Sequence, residues 1–134
     1  MASSTPTPTG ILTTASRHSV DETVSRLQAA ITAHGLTLFA QINHQQAAQE
    51  VGLTMQPAQV LIFGSPRSGT PLMVAAPLLA LDLPLKALVW QDGDANVWVS
   101  YTDPAWLAQR YTLPAELVKN IAGITPLIAG AVAS

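Results

Sequence analysis

No cysteine occurs in the 134 residues. Disulfides, iron–sulfur clusters and thiol nucleophiles are thereby excluded, while the redox compartment stays open. Charge is scarce: six basic and eight acidic residues make up 10% of the chain, whereas an ordinary soluble domain carries about 25%. With a formal net charge of −2 and its Lys and Arg scattered, the chain has no basic stripe to follow a phosphate backbone, so no nucleic-acid partner is expected. A long hydrophobic run is also missing. The most apolar stretch, Ile121 to Ala133, is broken by Gly123, Pro126 and Gly130, and no membrane segment is expected. The opening residues Met1 to Thr9 lack both a basic start and an apolar core, which reads as a disordered tail over residues 1–10 and not as a secretory signal. The cytoplasm is the compartment this implies.

What is present is apolar: 49% of the residues are hydrophobic. A chain of this length forms one domain, here residues 11–134, with a core adequate for independent folding. Many apolar groups and few charges leave a weakly polar surface, and a homodimer that hides part of it is expected.

The run Val60-Leu61-Ile62-Phe63-Gly64-Ser65-Pro66-Arg67-Ser68-Gly69-Thr70-Pro71 reads as a buried central strand, a tight loop, and a helix capped by Thr70 with Pro71 in its first position. Before it, Ile11 to Ser16 is β-branched enough for a first strand. Ser19-Val20-Asp21-Glu22 has the spacing of a capping box, and Val20, Val24, Leu27 and Ile31 follow on one helical face that Gly35 ends. Leu36, Leu38, Ala40 and Ile42 alternate with polar or aromatic neighbours as a strand with one buried face. His44 to Val51 reads as a short helix closed by Gly52. After Pro71 the sequence is apolar almost all round, with Pro77 in its midst, which predicts a buried helix that is kinked or split. Leu85 to Trp90 and Val97 to Tyr101 form a hairpin around Asp92-Gly93. Thr102-Asp103-Pro104 and Pro114 each start a further helix. The pattern is α+β: a single domain with a mixed sheet of about five strands and helices packed mainly on one face.

Six separated segments carry a likeness: Val20-Asp21-Glu22-Thr23-Val24, Phe39-Ala40-Gln41-Ile42-Asn43-His44, Phe63-Gly64-Ser65-Pro66, Gly69-Thr70-Pro71-Leu72-Met73, Leu81-Asp82-Leu83-Pro84-Leu85-Lys86 and Val97-Trp98-Val99-Ser100-Tyr101. Together they resemble the domain of unknown function DUF302, over roughly Arg17 to Arg110. The resemblance implies a small bacterial or archaeal α+β domain and no particular reaction. Two positions depart from the family's common pattern: Asn43 stands where Asp is usual before His44, and Ser65 where Asn is usual before Pro66. Losing that carboxylate removes a partner that could orient His44 as a base.

Gly64 to Gly69 has the spacing of a phosphate loop, but Thr70 and Pro71 stand where the Lys and the Mg²⁺-binding hydroxyl are required. Nucleotide hydrolysis is not expected on those grounds. Ser65, Arg67, Ser68, Gly69 and Thr70 remain ligand-binding candidates at a helix start, against the plainer reading of a structural turn and cap. His18 and His44 are the candidate general bases; if the first two strands were parallel neighbours, both would emerge beside the central loop. The plainer reading makes them loop or capping residues. No metal site is expected, because the acidic residues show no ligand spacing, and no cofactor is implied. Asp92 and Asp94 read as turn formers, and Trp90, Trp98, Tyr101 and Trp106 as core or interface packing before a ligand pocket. The favoured reading is therefore non-enzymatic: a homo-oligomeric domain binding a small anionic or amphipathic ligand near Gly64 to Thr70. The alternatives are a hydrolase- or lyase-like enzyme using His18 or His44, and a purely structural or partner-interaction module.

Overall fold

A computed structural model describes residues 7–133. Of the tail expected over residues 1–10, residues 1–6 lie outside the described residues. Pro8 and Gly10 are tied in, since Ile11 N donates to Pro8 O and Asp103 N to Gly10 O.

Strands β1 (Ile11–Ser16), β2 (Thr37–Asn43), β3 (Ala58–Gly64), β4 (Leu85–Gln91) and β5 (Val97–Thr102) make one five-stranded sheet in the order β1-β5-β4-β3-β2. Every neighbouring pair is antiparallel, in place of the mixed sheet expected from the alternation of strands and helices. The connections account for this. Helix α2 (His44–Glu50) returns the chain to the end of the sheet where β2 finished, so β3 must run back beside it. Helix α3 (Pro66–Ala75) and a 3₁₀ turn (Pro77–Leu81) do the same between β3 and β4.

Helix α1 (Val20–Ala33) starts as its sequence dictates: the Ser19 hydroxyl accepts from Glu22 N at 3.0 Å, and Val20, Val24, Leu27 and Ile31 are buried. With α6 (Ile124–Val132) it covers one face of the sheet, burying Leu61 and Phe63 of β3, Val89 of β4 and Val99 of β5. A second cluster, Leu72, Leu79, Leu107 and Ile121, closes the Leu85 end of the sheet beneath α3, α4 (Pro104–Arg110) and α5 (Lys119–Ala122). On the covered face a chain of amides ties α1 to the sheet. Gln28 donates to Gln41, Gln41 to Gln59 at 2.9 Å, and the buried Gln59 to Asp21 at 3.1 Å.

The opposite face carries no helix. Its rows are set by register: Ile42, Val60, Leu88, Ser100 and Thr13 across the middle, with Ala58, Trp90 and Trp98 beside them, and none of these residues is buried. The expectation that β2 buries one side fails as well. It is an edge strand that α1 reaches at Gln41, and the register shift between Leu38 and Ala40 breaks its alternation, so Leu38 and Ile42 stay exposed, and α2 beyond it buries nothing.

The central loop also differs. Helix α3 begins at Pro66, capped by Ser65, whose hydroxyl accepts from Ser68 N; Thr70 and Pro71 lie inside it. Two cap-and-proline pairs compete in this stretch, and the earlier one wins because the chain leaves β3 directly into it. Pro71 then removes one backbone donor without ending the helix. The split at Pro77 follows expectation, but the burial does not: Leu72 and Leu79 face inward, while Val74, Leu78 and Leu81 are more than two-thirds exposed. Residues Ala115–Val132 are apolar enough by length and composition to cross a membrane, yet they fold here as a 3₁₀ turn, α5 and α6, with Ile121, Ile124, Leu127 and Ile128 in the core.

In the β4–β5 hairpin Asp92 organises the turn. One carboxylate oxygen accepts from Asp94 N and Asn96 N, and the other from the Trp98 indole at 2.9 Å. The indole bond holds the Asp92 carboxyl below its ordinary value of 3.8; desolvation opposes this and the backbone donors reinforce it. A folded pKa below the unfolded one means the contribution is present above the unfolded value and is lost as pH falls through the folded one. Asp92→Asn is therefore expected to lose less stability than the native chain as pH falls below 3.8 in acid denaturation. Ala95 in the same turn has φ +67°, a conformation that costs a non-glycine residue about 1 kcal/mol. Ala95→Gly is expected to raise stability by about 0.5–1 kcal/mol in thermal denaturation.

Candidate functional site

Where β3 hands over to α3, a cavity of about 180 Å³ opens to solvent. Its floor is Gly64 and the first turns of α3, from Ser65 and Pro66 through Ser68, Gly69 and Thr70 to Met73. Leu83, Pro84 and Leu85 close one side; Phe39, Asn120 and Ile121 close the others. Phe39 reaches it because β2 slips register between Leu38 and Ala40, which turns the ring out of the strand's alternation; the side chain is 48% exposed.

Two glycines explain why the space is there. A Cβ built on Gly69 would come no nearer than 3.6 Å to Leu83, and one on Gly64 no nearer than 3.8 Å to Pro84. Neither has a positive φ. Neither glycine is thus required by backbone strain or by crowding, and a side chain at Gly69 would extend among Leu83 and Met73 in the cavity wall.

Four of the five loop candidates, Ser65, Ser68, Gly69 and Thr70, line this cavity. Arg67 does not: the helical turn carries it outward, where it is exposed. Sequence reasoning missed Phe39, Met73, Leu83–Leu85, Asn120 and Ile121, which are brought in by tertiary packing. Asn120 is the most informative. Its amide Nδ2 donates to Ser68 O at 2.9 Å across 52 residues of chain, so α5 is pinned to α3 at the cavity edge.

The loop is no phosphate cradle. Ser68 N and Gly69 N both donate to Ser65 O, so these donors are spent on the helix itself. Among the described residues no group of His, Asp or Glu is placed to hold a metal ion.

The two histidines are not brought together. β1 and β2 are opposite edges of the sheet with β5, β4 and β3 between them, and Asn43 pairs with Gln59 at the end remote from Gly64. The expected meeting of His18 and His44 beside the central loop is therefore wrong: the crossover takes β1 to the far edge. His18 Nε2 is buried with no hydrogen-bond partner, beside a depression lined by Ala15 to His18 and Ala95 to Trp98. His44 is exposed. Neither ring is hydrogen-bonded to a carboxylate among the described residues.

Asn43 and Ser65, the two departures from the expected pattern, serve the same purpose. Asn43 caps α2, accepting from Gln46 N at 3.0 Å, and Ser65 caps α3. Asp and Asn, like Asn and Ser, exchange at such positions with little loss. A carboxylate at 43 is accounted for by capping. The aromatic residues separate: Tyr101 is core, Trp106 joins the second cluster, and Trp90 and Trp98 pair on the open sheet face with ring centroids 6.4 Å apart.

Comparison with known proteins gives the following. The family model described as "Domain of unknown function DUF302" matches residues 12–129. The crystal structure of the uncharacterized conserved protein DUF302 from Bacillus stearothermophilus superposes with a TM-score of 0.77, covering 93% of this chain and 97% of that one at 21% identity, a likeness of fold. Proteins named "Fluoride-specific ion channel FluC 1" from Brucella suis biovar 1 (strain 1330) and Brucella abortus biovar 1 (strain 9-941) are each 45% identical over 104 residues, 78% of this chain. The chain spans only 41% and 38% of their respective lengths.

Proposed function

The chain belongs to the DUF302 family, for which no activity is stated, and on that premise we propose that it is a small-ligand-binding domain that works as a homodimer. The observation that supports binding is the cavity between Gly64, α3 and Leu83–Leu85, kept open by two glycines that neither strain nor packing demands. Sites for small molecules are concave and mostly apolar with a few polar groups, which is this composition. The test is Gly69→Leu. Leucine fills the cavity and also suits a helix better than glycine by about 1 kcal/mol, so the variant is expected to be at least as stable as the native chain. Ligand-observed NMR with a fragment mixture should give hits for the native chain that disappear in Gly69→Leu. Hits of equal strength in both would remove the cavity from consideration.

The open sheet face supports the homodimer. Five strands of about six residues present a face of roughly 24 by 20 Å, about 480 Å² and so a large part of the about 800 Å² per partner of a stable interface. Its described charged groups stand at the margins, Lys86 at one end and Asp92 at the other, beside the Trp98 indole. The indole N–H groups of Trp90 and Trp98 are already satisfied by Ser100 and Asp92, leaving apolar ring surface outward. A second copy of the same face is the complement that two-fold symmetry supplies. The cytoplasm is the compartment we assign to it.

The relatives named as ion channels favour a second reading, a module serving a larger assembly. Most of their length lies outside the match, so channel activity is not transferred to this chain. Co-purification with the unmatched part of such a relative would support this reading, and failure to associate with it would remove it.

A further inference from the structure

We propose that the cavity takes an uncharged, ring-sized molecule carrying one hydroxyl or N–H donor, of which phenol is the simplest example; this rests on the ligand-binding reading above. Size sets the first limit. Apolar cavities of about 150 Å³ hold one benzene ring, and this one measures about 180 Å³.

Charge sets the second. No ionisable side chain lines the cavity, and each charged residue near its edge is turned elsewhere or occupied. Arg67 is exposed outside it. Lys86 Nζ donates to Pro84 O at 3.3 Å, and Asp82 accepts from the Tyr111 hydroxyl and pairs with Arg110 at 3.5 Å. The N–H groups of Ser68 and Gly69 are bonded to Ser65 O. A carboxylate or phosphate entering here would lose water and gain no opposite charge, which is costly.

The polar groups that remain pair with a hydroxyl or an N–H, since they offer both acceptors and uncharged donors. Asn120 Nδ2 spends one of its two N–H groups on Ser68 O, which fixes the amide with Oδ1 and one N–H open, and the Ser68 hydroxyl, able to donate or accept, has no side-chain partner among the described residues. A ligand O–H or N–H that meets them keeps these atoms paired; a bare hydrocarbon leaves them unpaired in a drying pocket.

The experiment measures the affinities of phenol, benzene and benzoate at neutral pH by saturation-transfer NMR, on the native chain, Gly69→Leu, Asn120→Ala and Ser68→Ala. Phenol is expected to bind about threefold to tenfold more tightly than benzene, the worth of one hydrogen bond, and benzoate more weakly than either. Asn120→Ala should bring phenol down to the level of benzene and leave benzene unchanged. Should Asn120→Ala fail to fold, Ser68→Ala carries the same comparison, with a smaller drop expected. Benzoate binding as well as phenol, in a manner abolished by Gly69→Leu, would overturn the proposed ligand class and leave the binding site standing. No binding of any probe, or binding indifferent to Gly69→Leu, would overturn both.

Discussion

Phe63→Ala is expected to destabilise the fold by about 3–5 kcal/mol, whereas Phe39→Ala costs under about 1 kcal/mol. The two phenylalanines sit on adjacent strand segments and differ in what surrounds them. Phe63 is fully buried beneath the helical layer, in the cluster that joins α1 and α6 to the sheet, so truncation leaves a cavity that neighbouring side chains cannot fill. A domain of this size has about 5–15 kcal/mol in total, so this one change removes at least about a fifth of its stability and up to all of it. Phe39 stands half out of the edge strand as a wall of the proposed site. Its loss should weaken ligand binding while denaturant unfolding stays close to native. A Phe39→Ala protein that unfolds like Phe63→Ala would contradict the placement of that ring.

The second large effect is expected on assembly. Leu88 lies in the middle strand of the open face, flanked by Val60 and Ser100 in register. In a face-to-face dimer both copies would bury the part of it still exposed, a fraction of the about 1.5–3 kcal/mol of a whole Leu side chain, and Leu88→Glu would replace that with two buried like charges. Dissociation is expected to increase at least a hundredfold. Native mass spectrometry should show the native chain as a dimer and Leu88→Glu as a folded monomer. A native chain that is already monomeric, or a variant that remains dimeric, would move the interface elsewhere or abolish it.

Which parts of this were legible in the sequence depends on the range of the interactions that decide them. Local rules suffice for α1, where Ser19 and the spacing of Val20, Val24, Leu27 and Ile31 act within a few residues. They also suffice for the β4–β5 hairpin, and Gly35 and Gly52 end their helices at φ +70° and +78° as read. They do not decide between Ser65 and Thr70 as the cap of α3, because both offer a hydroxyl followed by proline; the end of β3 makes the choice. Burial of β2 was misjudged because alternation identifies a strand but not whether anything covers it, and edge position follows from pairing between distant segments. The same limit separates His18 from His44. For the site, the Gly64–Thr70 stretch was legible as a place, since strand end, glycines and cap coincide there. Its partners were not: Asn120 is joined to Ser68 by one long-range bond, and nothing in the local sequence around Asn120 marks it.

One measurement bears most directly on the binding site: a backbone amide shift map of the labelled chain titrated with phenol, repeated on Gly69→Leu. The expected result is a set of shifts confined to Gly64, Gly69, Leu83, Leu85 and Asn120 that vanishes in the variant. Shifts centred on Leu88, Trp90 and Trp98, or a response unchanged by Gly69→Leu, would contradict it.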